Sequence, residues 1–103
     1  MFRVNAFAAV AEPHRRQILD RLRDGECAAG DLVALLHLSQ PGVSKHLRIL
    51  REARLVAVRA DGKRRLYRLA PAPLAEVDAW LDDYRQYWTE RLDALEDHLE
   101  ANP

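Results

Sequence analysis

The sequence predicts a mainly α-helical domain with one small β-hairpin: four helices, the hairpin, then one long last helix. Three observations predict it. Apolar residues recur three and four apart along most of the chain, the spacing of a helix face. Between Leu55 and Leu69 that period gives way to alternation, with Asp61-Gly62 at its centre as a hairpin turn signal. The net charge of zero hides a strong asymmetry. Residues 37–70 hold nine Lys and Arg against two Asp and Glu, a balance of +7. Residues 71–103 hold two against nine, a balance of −7, and residues 1–36 balance at five each.

The elements follow in order. Residues 2–11 predict a short helix with Phe2, Phe7 and Val10 on its apolar side. Pro13 suits the first turn of a second helix, where its missing N–H costs nothing, and Glu12 sits near the positive helix end. Ile18, Leu19 and Leu22 are its apolar stripe, and Gly25 is a natural stop. A third helix, from Ala28 or Ala29 to His37, carries Leu32, Leu35 and Leu36. Ser39 is a good N-cap for a fourth helix through Ala53, with Pro41 in its first turn. Val43, Leu47 and Leu50 mark the buried face of that helix at i, i+4 and i+7. Leu55–Arg59 and Arg64–Leu69 read as the two strands, with Leu66 turned inward against its basic neighbours. The last helix, from about Pro73 to Ala101, has a seam including Val77, Leu81, Tyr84, Trp88, Leu92 and Leu95. At 1.5 Å per residue such a helix runs about 42 Å, more than a domain this small can cover.

The 103 residues amount to one domain, 1–103, with 49% hydrophobic and 31% charged residues. A chain this short buries a modest share of its surface, and the seam of the last helix needs a partner, so a homodimer is expected. The single cysteine, Cys27, allows no intrachain disulfide and fits a reducing cytoplasm. No apolar run approaches the ~20 residues of a membrane span. Ala9-Val10-Ala11 resembles a signal-peptidase site, but the apolar stretch before it is too short. There is no nucleophile–base arrangement, phosphate-cradling glycine loop or intact metal motif, so neither an enzyme nor a cofactor is expected.

Two short helices (residues 28–53) followed at once by a hairpin (55–69) form a winged helix-turn-helix. In such a unit the second helix enters the major groove of duplex DNA, N-terminal residues towards the base edges. Those residues here are Gln40, Pro41, Gly42, Ser44 and Lys45. Gln40 can pair bidentately with adenine and Lys45 can donate to guanine, while Ser39 and Ser44 can bond phosphate or base. His46 and Arg48 are expected on the DNA backbone, with Arg51 on the same exposed side. The hairpin tip at Lys63, Arg64 and Arg65 can follow a neighbouring phosphate strand or enter the minor groove.

The run from Leu38 to Ala53, with Ser39-Gln40, Val43-Ser44, His46-Leu47 and Leu50-Arg51-Glu52, resembles the recognition helix of the ArsR/SmtB family of bacterial repressors. Glu12-Pro13-His14-Arg15-Arg16-Gln17-Ile18-Leu19 is similar to that family's opening motif, and Gly62–Tyr67 to its wing, which adds Tyr67 to the expected DNA contacts. The resemblance implies operator binding by a dimer joined through its first and last helices. Two metal boxes known in the family are not matched. The cysteine positions of one fall on Ala28 and Gly30, with Cys27 offset by one. In the other, Trp80, Tyr84 and Arg85 stand where a histidine should follow Asp78, Asp82 and Asp83, and only His98 lies on that helix. No metal ligands are therefore expected, and any metal or small-molecule effector is unidentified. Arg54 stands where the family usually has glycine. The expectation is a homodimeric repressor on an inverted repeat. A sensor with a non-standard effector site and a protein-interaction module are the alternatives.

Overall fold

A capping side chain opens three of the helices in the computed structural model, which describes residues 5–101. Asn5 Oδ1 accepts from the Ala8 N–H at 2.9 Å and starts α1 (Ala6–Val10). Glu12 Oε2 accepts from the Arg15 N–H at 2.9 Å and starts α2 (Pro13–Leu22), with proline in the first turn. Ser39 Oγ accepts from the Gly42 N–H at 3.2 Å and starts α4 (Gln40–Glu52), again with proline in the first turn. In α3 (Ala29–Leu36) the cap position is Ala28, and Asp31 reaches back to its N–H at 3.1 Å. The chain ends in α5 (Leu74–Ala101).

The helix ends are equally specific. His37 closes α3 at φ +54 and Arg54 follows α4 at φ +61, both in the left-handed region. After α4 the Arg54 N–H bonds Arg51 C=O at 2.9 Å and the Leu55 N–H bonds Leu50 C=O at 3.0 Å. These are the two bonds of a Schellman ending, in which the residue at Arg54 is ordinarily glycine.

Three antiparallel strands form the sheet, in the order β1 (Cys27–Ala28), β3 (Arg64–Leu69), β2 (Val56–Asp61). Cys27 lies opposite Tyr67, which in turn lies opposite Val58. Asp61 pairs with Arg64 across a tight turn in which Gly62 takes φ +64. Ile18, Leu32, Val43, Leu47, Leu50 and Leu55 are the largest fully buried side chains, so α2, α3 and α4 close on one another above the sheet. With Val43, Leu47 and Leu50 inward, the opposite face of α4 is turned outward.

The expected winged helix-turn-helix is present, with four differences, the first being that the opening hairpin strand runs Val56–Asp61 and not Leu55–Arg59. Residues 27–28 form a third strand; two residues carry no periodicity, and only pairing with β3 makes them a strand. On β3 it is Tyr67 that is buried, at 8% exposure, while Leu66 is half-buried, the reverse of the expected facing. The first helix spans Ala6–Val10 within the described residues, and Phe2 lies outside them.

No residue of α5 is fully buried. Leu74 and Val77 pack against the core edge and Leu81 is half-buried, while Phe7 of α1 meets Trp80 edge-on at 5.6 Å. Beyond that point Tyr84, Trp88, Leu92, Leu95 and Leu99 are exposed. The molecule is 65 Å long and 21 Å thick because this helix projects from it. Among the described residues no helix is long and apolar enough to cross a membrane.

Candidate nucleic-acid interface

The 3.6-residue period of α4 decides which side chains face out. Burying Val43, Leu47 and Leu50 leaves Gln40, Pro41, Ser44, Lys45, Arg48 and Arg51 exposed. Gly42, half-buried, lies under the cap, where a Cβ would stand 3.2 Å from Ser39 Oγ. That hydroxyl oxygen accepts from Gly42 and keeps its own hydrogen for a further partner. The cap and first two turns of α4 therefore present an amide, two hydroxyls and an ammonium near a positive helix end.

A second basic surface stands at the β2–β3 turn, where Lys63, Arg64 and Arg65 are exposed. Arg64 lies 3.8 Å from the Asp31 carboxylate, an exposed pair that leaves the guanidinium open to other anions. The wing is fastened midway along β2 by Arg59, whose Nε and Nη2 donate to the two carboxylate oxygens of Glu26 at 2.7 and 2.9 Å. That hydrogen bond holds the Glu26 carboxyl below its ordinary range and raises Arg59 further. No sequence signal linked these two residues, because they stand 33 positions apart.

Two expected contacts stand elsewhere. Tyr67 faces the core opposite Cys27, so its ring fills the sheet instead of the wing surface. His46 turns away from the exposed face of α4 towards α2 and its side chain is only 16% exposed. The helical period places it on the flank between outward Lys45 and inward Leu47.

There His46 joins a cluster built from the first turn of α2. His14 Nδ1 is hydrogen-bonded to Glu12 Oε1 at 2.8 Å, and His46 Nδ1 lies 3.8 Å from Glu12 Oε2. The two imidazoles stack with centroids 5.7 Å apart. Arg15 donates to the Ala9 and Ala8 carbonyls at 2.7 and 3.1 Å and approaches His46 Nδ1 at 3.4 Å. Arg16 donates to the Val10 carbonyl at 2.8 Å. The paired arginines thus bond the last three carbonyls of α1, of which that of Ala8 also accepts from the Ala11 N–H at 3.3 Å. Burial pulls the His46 pKa down, more than the Glu12 charge lifts it. Burial alone would raise Glu12, but the Arg15 N–H and the two histidines outweigh it and leave it low. No ligand cluster was expected from sequence, since the histidines are scattered along it. Among the described residues Glu12, His14 and His46 nevertheless place one potential ligand atom each within 4.8 Å of the others.

Cys27 is buried at 3% exposure, and burial pushes its thiol pKa up. It lies in the sheet, away from both basic surfaces.

Comparison with known proteins agrees with this geometry. Residues 12–58 match the family model described as bacterial regulatory protein, arsR family. The chain is 44% identical over 87 residues to the HTH-type transcriptional regulator Rv2034 of Mycobacterium tuberculosis, covering 84% of this chain and 78% of that one. It is 35% identical over 77 residues to the transcriptional repressor SdpR of Bacillus subtilis, covering 75% and 86%. The solved structure of an ArsR-like transcriptional regulator from Rhodococcus sp. RHA1 matches with a TM-score of 0.71 at 29% identity, over 94% of this chain and 89% of that one. With its helix-turn-helix, basic wing and these relatives, the chain belongs to the ArsR family of bacterial regulatory proteins and is a DNA-binding transcriptional regulator, not an enzyme.

Proposed function

We propose that the chain is a cytoplasmic, homodimeric repressor that reads an inverted-repeat operator. The observation that carries this reading is the outward row Gln40, Ser44, Lys45 and Arg48 on α4, directly behind the buried Val43, Leu47 and Leu50. Gln40, Ser44 and Lys45 serve base edges, while Arg48, Arg51 and the wing residues Lys63, Arg64 and Arg65 serve phosphates. The whole chain works as one unit: helix-turn-helix 28–53, wing 55–69 and dimerisation helix 73–101.

The exposed seam of α5 supports the dimer. The accessible surface is 7700 Å², against about 5,900 Å² for a compact monomer of this mass. The excess, about 1,800 Å², is on the scale that each protomer of an obligate dimer buries. Phe7, Val10, Val77 and Leu81 flank the seam, and Tyr84, Trp88, Leu92 and Leu95 run along it. A two-fold dimer would set its two recognition helices about one DNA turn apart, ~34 Å.

Footprinting on the DNA upstream of the chain's own gene tests the reading. A protected inverted repeat, with affinity that falls steeply with salt, is the expected result. Equal binding to random DNA at every salt concentration would overturn it.

A further inference from the structure

We propose that Glu12, His14 and His46 bind one divalent transition-metal ion of the zinc class, and that the ion ties the first turn of α2 to the recognition helix. Two imidazoles and a carboxylate form a donor set that suits Zn²⁺ and its neighbours. Their ligand atoms already lie within 4.8 Å of one another. A tetrahedral ion with bonds of about 2.1 Å needs its ligands about 3.4 Å apart. Side-chain rotation can close the difference, since His14 is 41% exposed and Glu12 29%.

The surroundings favour an ion. The Arg15 N–H orients the Glu12 carboxylate at 2.9 Å, and an ion would take the place of the proton that His14 Nδ1 and Glu12 Oε1 share at 2.8 Å. Half-burial of all three leaves a fourth position to water, as in open zinc sites. Arg15 is the opposing charge. Two shorter bonds to the Ala8 and Ala9 carbonyls hold its guanidinium, and its 3.4 Å approach to His46 is the one an ion would replace. The site shares no residue with either metal box of the family. It acts on α4 directly, because His46 stands between Lys45 and Leu47 of that helix.

Metal binding is measured on the metal-free chain without DNA, so its failure leaves the operator reading untouched. Zn²⁺ is titrated in competition with a chromophoric chelator, and Co²⁺ is followed by its visible absorption. The expected result is one ion per chain at micromolar Kd or tighter. His14→Ala, at a half-exposed position, weakens binding tenfold or more with an unchanged circular dichroism spectrum, whereas His98→Ala leaves binding as it was. Zn²⁺ also shifts the imidazole resonances of His14 and His46. Absence of stoichiometric binding, or affinity unaltered by His14→Ala, would overturn the site.

Discussion

The backbone N–H of Leu55 bonds the Leu50 carbonyl at 3.0 Å and so closes the recognition helix, with Arg54 between them at φ +61. Leu50 and Leu55 are both fully buried, so the ending is also a hydrophobic contact of the core. Arg54 holds a conformation that glycine adopts without steric cost, while other L-residues lose about 1 kcal/mol or more there.

Arg54→Gly is therefore expected to stabilise the protein by about 0.5–1 kcal/mol, a few degrees in Tm for a domain of this size. Arg54→Val is expected to destabilise it, because a β-branched side chain is strained at positive φ. Thermal unfolding at one fixed protein concentration measures both, since a dimer would make Tm depend on concentration. A lower Tm for the glycine variant would show that the Arg54 side chain has a stabilising role beyond the turn.

The two basic surfaces are expected to behave differently on DNA. Lys63→Ala or Arg65→Ala weakens operator and random DNA alike and lowers the salt slope by about one for each phosphate left without its cationic partner. Gln40→Ala or Ser44→Ala alters base preference, at about 1–3 kcal/mol for a good bidentate pair. Fluorescence anisotropy on operator variants across a salt series separates the two classes. Equal weakening on all sequences for the second pair would remove α4 from base reading.

The exposed seam of α5 gives a prediction about assembly. Leu92 is 65% exposed in the single chain, so a charge there costs an isolated protomer little. Leu92→Glu, or Trp88→Glu, is expected to shift sedimentation from dimer to monomer and to weaken operator binding at least tenfold. A variant that remains a dimer would place the interface elsewhere.

Cys27 is expected to be chemically quiet. Its burial disfavours the thiolate, so alkylation of the folded protein at pH 8 should run on the order of tenfold or more slower than in denaturant. The raised pKa also sets a sign. Stability from this group is present below the ordinary thiol range and is lost as pH rises through the folded value. Mass spectrometry after timed alkylation measures the rate, and a fast reaction would mark the sheet around Cys27 as locally open.

Much of this molecule is legible in local pattern. Ser39, Pro41 and the Val43–Leu47–Leu50 spacing locate α4 and its exposed face, because capping and helical period act within a few residues. Arg64–Leu69 is the observed strand to the residue, since the Asp61-Gly62 turn sets its start. The unusual Arg54 geometry was visible as a missing glycine. The facing of β3 was not legible. Alternation offers two faces, and pairing of Tyr67 with Cys27 in the third strand chose between them.

Sequence alone thus determined the helices, the hairpin, the basic middle of the chain and the row of side chains exposed on α4, all of which arise from short-range periodicity and charge. Tertiary structure alone decided the third strand, the burial of Tyr67, the anchoring of Arg59 on Glu26 and the meeting of His46 with Glu12 and His14. Each of these joins segments more than thirty residues apart, and only the packing of the shared core brings such partners within bonding distance.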